Sequence, residues 1–200
     1  MYTIATFRGP KEVIALERAA FEGKLELIRL LLKCGALPAG SDGSVVWACY
    51  YSSSAVDCLE KKLAIATLLI DRGAELNRID ISYQNLLGAA VDNDCEALVK
   101  LFRQRGANVN DGSPIRNPLR QCCQAKTQNL EILKALLDAG AGIEANDGHG
   151  TVLHYAVSID HVEFVRELLR RGANRQAKGK EGRKPIHYCN DQAIKKMLNA

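Results

Sequence analysis

A Gly-Ala pair recurs five times along this chain, at Gly35-Ala36, Gly73-Ala74, Gly106-Ala107, Gly140-Ala141 and Gly172-Ala173. Successive pairs are 38, 33, 34 and 32 residues apart. A period of this length marks a repeat architecture, in which one supersecondary unit is copied and stacked. Each pair follows a Leu-rich stretch with apolar residues near i, i+1, i+4 and i+5. These are Leu27-Ile28 with Leu31-Leu32, Ile65-Ala66 with Leu69-Ile70, Leu98-Val99 with Phe102, Ile132-Leu133 with Leu136-Leu137, and Phe164-Val165 with Leu168-Leu169. That spacing puts the apolar side chains on one helical face. A glycine just past the last turn suits a left-handed C-cap, which glycine adopts at little cost. The small Ala beside it permits close packing.

A second helical segment precedes each of these. Its copies read Asn85-Leu86-Leu87-Gly88-Ala89-Ala90, Asn117-Pro118-Leu119-Arg120-Gln121-Cys122, Thr151-Val152-Leu153-His154-Tyr155-Ala156 and Lys184-Pro185-Ile186-His187-Tyr188-Cys189. Fainter copies run from Ser44 to Cys49 and from Ile14 to Ala19. An opening Thr, Ser or Asn can cap a helix, and Pro suits its first turn. Ala or Cys at the packed position lets neighbouring helices approach.

This pattern resembles the ankyrin-repeat family: a turn, a short helix beginning T-P-L-H-x-A, a second helix, then Gly-Ala. The resemblance runs from about Val13 to Ala200. Thr151 to Ala173 matches best, and no copy carries the full T-P-L-H. The resemblance implies an all-α ankyrin-repeat solenoid of stacked helix-turn-helix units joined by short hairpin-like turns, with five full repeats and a truncated C-terminal cap. One domain over 1–200 is expected, with approximate repeats 13–38, 39–77, 80–110, 112–145, 146–176 and 179–200. Two departures stand out: an insertion of about eight residues around Tyr51 to Lys62, and two extra residues near Ala125 to Asn129. A lone helix pair cannot bury its apolar face, so stacking must supply the core, and the end units need polar outer faces. Glu17 and Arg18 at one end, and Lys195 and Lys196 at the other, are compatible with such capping.

Composition narrows the function. Of 200 residues, 47% are hydrophobic and 25% charged, a globular balance. No apolar run reaches the ~20 residues of a membrane span. Met1 to Pro10 lacks a signal-peptide core, and the seven cysteines include no C-x-x-C pair. A cytoplasmic setting is expected, or a host cytosol if the chain is a translocated effector. Nucleophile elbows, H-E-x-x-H helices and phosphate loops are missing, so the chain is read as no enzyme, with no cofactor and no metal. His154 and His187 fall on the family's T-P-L-H histidine, where the resemblance implies a structural hydrogen-bond network. Cys49, Cys122 and Cys189 take the small packed position, as compact apolar residues.

Ankyrin-like proteins generally bind other proteins with hairpin tips and the concave face of their first helices. Carried over position by position, that implies concave contacts at Phe21, Glu22, Tyr51, Ser52, Asp92, Asn93, Gln124, Ser158 and Ile159. Tip contacts fall at Ile81, Ser82, Gln84, Arg116, Asp147, His149, Lys180 and Arg183. Phe21, Tyr51 and Ile159 place apolar groups where the surface should be wet. From Arg166 to Ala200 there are ten Lys/Arg against three Asp/Glu, in a chain of net charge +4. Asp92, with Asp94 nearby, would set an acidic centre against this basic end and orient a partner. The expected function is a monomeric, non-enzymatic module for a protein partner, with no small-molecule substrate and no membrane. A stand-alone inhibitor of an enzyme or toxin, of the bacterial immunity type, and a secreted bacterial effector remain open. Nucleic-acid binding through the basic end ranks last, because the stretch lacks interleaved aromatics.

Overall fold

The computed structural model describes residues 11–38, 59–77, 85–110, 117–125 and 127–199. Those residues form α1 (Lys11–Phe21), α2 (Leu25–Lys33), α3 (Leu59–Asp71), α4 (Leu86–Asp92), α5 (Glu96–Gln104), α6 (Pro118–Gln124), α7 (Leu130–Asp138), α8 (Val152–Ser158), α9 (Val162–Arg170) and α10 (Gln192–Asn199). Two short 3-10 turns, Lys180–Gly182 and Pro185–Tyr188, lie between α9 and α10.

The helices stand in two rows. The first helices α4, α6 and α8 pack in sequence, followed by the 3-10 turn at Pro185–Tyr188. The second helices α2, α3, α5, α7, α9 and α10 form the other row. The apolar faces read from the sequence meet between the rows: Ile28, Val99, Leu133 and Val165 are each fully buried, and Phe102, Leu136 and Leu168 continue the seam. Small residues set the spacing, with Ala90, Cys122 and Ala156 packed at the same position of successive first helices. Gly35, Gly73, Gly106, Gly140 and Gly172 take φ between 83° and 93°, the left-handed cap that ends each second helix.

One expectation is revised. The stretch from Lys184 to Cys189 is only a four-residue 3-10 turn. Ten residues separate Asn85 from Cys95 and Thr151 from His161, whereas seven separate Lys184 from Asp191. Nearly one α-helical turn is missing, so a full helix cannot form there. The end of the expected insertion, from Leu59 to Lys62, is the first turn of α3. The rest of that insertion, with Cys49, Trp47 and Cys58, lies outside the described residues.

Successive units are stitched by side chains four residues beyond the Gly-Ala glycine. Asn77 Oδ1 accepts from the Asn108 N–H at 2.8 Å, and Asn110 Oδ1 accepts from the Gly142 N–H at 2.8 Å. Glu144 Oε1 accepts from the Asn174 N–H at 2.7 Å. Asn110 Nδ2 also donates to the Gly140 carbonyl at 3.1 Å. A second stitch runs from the turns between paired helices, where Asp94 and Asp160 both have φ of 53°. Asp94 accepts from Asn129 Nδ2 at 2.8 Å, and Asp160 from the N–H groups of Asn190 and Asp191.

Candidate functional site

The first helices position one row of candidate contacts. Their buried pairs, Ala19-Ala20, Ala90-Val91, Cys122-Cys123 and Ala156-Val157, face the core. The next position therefore turns outward and carries Phe21, Asp92, Gln124 and Ser158, all exposed. One step further lie Glu22, Asn93 and Ile159. Phe21 and Ile159 are 38% and 39% exposed. Hydrogen bonds along the row fix several polar members. Asp92 Oδ2 accepts from Gln121 Nε2 of the next helix at 3.2 Å, and Asn93 Nδ2 donates to the Ala89 carbonyl at 3.2 Å. Ser158 Oγ donates to the Tyr155 carbonyl at 2.9 Å. Glu22 is gripped by Lys24 and Arg18, which lower its carboxyl pKa. The expected acidic centre is smaller than the sequence suggested, because Asp94 is half-buried and bonded to Asn129.

The tips of the last two units lie side by side. The Lys180 N–H donates to the His149 carbonyl at 2.8 Å, and Asn146 Nδ2 donates to the Lys178 carbonyl at 3.1 Å. His149 projects outward with its side chain 63% exposed, and Lys180 and Arg183 are exposed beside it. Arg183 pairs with Glu181 at 2.9 Å.

Asp147 behaves differently from its neighbours. Its side chain is 1% exposed and turned inward. Oδ1 accepts from the backbone N–H groups of His149 at 2.9 Å and Gly150 at 3.2 Å. Oδ2 accepts from Tyr155 Oη at 2.7 Å and lies 3.0 Å from Arg120 Nε. The Arg120 guanidinium also sits 4.6 Å from the centre of the Tyr155 ring. Burial pushes the Asp147 carboxyl up, but the Tyr155 and backbone hydrogen bonds and the Arg120 charge more than offset this and lower its pKa. Asp147 thus shapes the tip from within. Sequence reasoning missed this cluster; its signal was Arg120 standing where the later copies have His154 and His187.

His154 joins the turn to the following unit. Its Nδ1 accepts from the Thr151 N–H at 3.0 Å, and its Nε2 lies 3.2 Å from the Arg183 carbonyl. These partners require the neutral tautomer with its proton on Nε2. Burial lowers the imidazole pKa, against the pull of the Arg183 carbonyl. Cys122 and Cys123 are buried thiols, with Cys122 pushed up to about 12. Among the described residues no group of three His, Cys, Asp or Glu is placed to hold a metal ion, and no helix is long and apolar enough to cross a membrane. A cavity of about 10 Å³ between Arg120, Gly142, Asp147 and Tyr155 offers room for no more than about one water. Tyr51, Ser52, Ile81, Ser82, Gln84 and Arg116 lie outside the described residues.

Residues 119–199 match the family model for ankyrin repeats, in three copies. The chain is 35% identical over 127 residues to human ankyrin repeat and SOCS box protein 6, a match covering 58% of this chain and 30% of that protein. It is 31% identical over 103 residues to the zebrafish (Danio rerio) ankyrin repeat and SOCS box protein 11, covering 51% and 34% respectively. Bovine mitochondrial disaggregase is 28% identical over 134 residues, covering 65% of this chain and 20% of that protein. The chain therefore spans about a third or less of these curated relatives. The crystal structure of the ankyrin repeat domain of Bcl-3, a unique member of the IkappaB protein family, superposes with a TM-score of 0.76. It shares 24% identity, over 92% of this chain and 81% of that one.

Proposed function

Because this chain is an ankyrin-repeat protein, we propose that it is a non-enzymatic module that holds a protein partner along its concave first-helix face and its hairpin tips. Ankyrin repeats indicate protein–protein interaction in general; the face and the residues are the proposal. The observation that carries it is the outward row Phe21, Asp92, Gln124 and Ser158. These side chains occupy one structural position in the first, third, fourth and fifth units, yet they are apolar, acidic, amide and hydroxyl. Packing constrains the inward positions to small or branched apolar groups, while the outward row is free to encode a partner.

Phe21 and Ile159 serve as apolar anchors, and Asp92 and Gln124 lie between them. Lys180, Arg183 and His149 extend the surface across the basic tips. A partner with an acidic segment beside an apolar patch fits this distribution.

The test is affinity capture from native lysate followed by binding measurements on the retained protein. Phe21→Ala with Ile159→Asp, and separately Lys180→Glu with Arg183→Glu, should each weaken binding by roughly tenfold or more, with helical circular dichroism unchanged. Unaltered affinity in both variants would place the contact surface elsewhere.

A further inference from the structure

The first and last described units are built differently. In each second helix, the residue three positions after the N-cap faces the preceding unit. It is Leu98, Ile132 and Phe164 after the N-caps Cys95, Asn129 and His161, and these are 5%, 1% and 0% exposed. In α2, whose N-cap is Lys24, the same position is Leu27, and it is 41% exposed. Six positions after the N-cap, Ala135 and Glu167 are each 8% exposed and Leu101 is half-buried, whereas Leu30 is 57% exposed.

The loop after the second helix repeats the contrast. Two residues beyond the Gly-Ala glycine, the N–H groups of Asn108, Gly142 and Asn174 are each bonded by a side chain of the preceding unit. The equivalent residue of the first unit is Leu37, 68% exposed and apolar where the exposed Asn108 and Asn174 are polar. Arg105 and Arg171 reach back to Asp71 and Asp138 of the units before them, and the equivalent residue in α2 is Cys34, exposed. Thus Leu27, Leu30 and Leu37 continue the inter-repeat interface, and no described residue covers them. In the last described unit, the outward positions of α10 are Lys195, half-buried, and Asn199, exposed, both polar.

We propose that the Leu27–Leu30–Leu37 face is covered by a second copy of this chain, giving a head-to-head dimer about a two-fold axis near Leu30. Head-to-tail stacking would set these leucines against Lys195 and Asn199, burying an ammonium without a partner. A two-fold axis matches leucine to leucine and closes the assembly at two chains. With the axis perpendicular to α2, the two α2 helices run antiparallel, which opposes their dipoles favourably. The charges of α2 fit that arrangement. Glu26 stands at its start, 87% exposed and 3.5 Å from Arg29 of the same helix, and Lys33 at its end, exposed and outside any ion pair among the described residues. Antiparallel apposition centred on Leu30 brings Glu26 of each copy toward Lys33 of the other. This dimer departs from the monomer expected from the sequence, and it leaves the concave face and the basic tips of both copies open.

Sedimentation equilibrium of the 200-residue chain over a wide concentration range tests this. The expected result is a reversible monomer–dimer equilibrium, with Leu30→Glu raising the dissociation constant roughly tenfold or more while the helical signal stays intact. Glu26→Lys should weaken the dimer about threefold, and Glu26→Lys combined with Lys33→Glu should restore it. A monomer at every concentration overturns the proposal, as does a dimer that Leu30→Glu leaves unchanged. Should Leu30→Glu unfold the first unit, the charge pair decides: restoration by the double variant supports the dimer, and its failure overturns it.

Discussion

At Asp147 a carboxylate is taken out of water and held by two backbone N–H groups, a tyrosine hydroxyl and an arginine. Removing it would take the carboxylate from beside the Arg120 guanidinium, only 16% exposed, and would strip both tip N–H groups of an acceptor. Asp147→Ala is therefore expected to cost about 2–4 kcal/mol, read from denaturant unfolding. A loss below about 1 kcal/mol would mean that the tip holds its shape without the cluster. His154 supplies a pH dependence. Its folded-state pKa lies below the unfolded value of 6.5, because burial disfavours the imidazolium and Nδ1 already accepts from Thr151. Its contribution to stability is complete above pH 6.5 and is lost as pH falls through the folded-state value. Unfolding free energies measured across that range should decline less steeply with acid in His154→Asn than in the parent. Equal slopes would remove His154 from the account.

Among the elements, the inter-unit stitches carry the next level of organisation. Asn110 bonds the Gly142 N–H and the Gly140 carbonyl with one side chain, so Asn110→Ala should cost roughly 1–2 kcal/mol. Nearest-neighbour coupling localises the effect. Hydrogen exchange should quicken first at the junction of α5 with α7, and a uniform change along the stack would contradict it. The adjoining tips are coupled by close approach instead. A Cβ added at Gly179 would lie 2.5 Å from the His149 carbonyl oxygen, so Gly179→Ala must push the last tip away. The variant is expected to lose more than about 1 kcal/mol and to loosen the unit that ends in α10, visible as a lowered midpoint in thermal unfolding. Both features had sequence correlates that periodicity alone does not interpret. Asn77 and Asn110 recur at one offset from the Gly-Ala pair, but only the fold shows that this offset points at the next unit. The shortened spacing between Lys184 and Asp191 was likewise readable, yet its consequence, a 3-10 turn in place of a helix, needed the geometry.

For the whole molecule, charge is distributed by ends. The closing segment from Arg166 onward carries Lys178, Lys180, Lys184 and Lys196 outside any ion pair among the described residues, beside the paired Arg170, Arg171 and Arg183, whereas Arg18, Lys100, Arg105 and Lys134 in the earlier units are paired. A protein partner with an acidic segment should accordingly associate more slowly as salt rises. Lys180→Glu with Arg183→Glu should remove much of that salt dependence while changing dissociation far less. Stopped-flow association at several ionic strengths checks this, and identical salt slopes for parent and variant would exclude the basic tips from steering.

Periodicity sufficed to reveal the repeat, the paired helices of the first, third, fourth and fifth units, the buried seam and the glycine caps. These depend on spacing within one unit, and such spacing is local information. Outward positions on the first helices were also readable, since they follow from the same register. Tertiary structure alone decided which polar groups serve the fold. Asp147 and Asp92 look alike in a string of residues, but one is enclosed by Arg120 and Tyr155 from neighbouring helices and the other is exposed. The open apolar end at Leu27, Leu30 and Leu37 was hidden for the same reason. Burial depends on what stands across the interface, and a unit's own sequence does not record whether a neighbour is there.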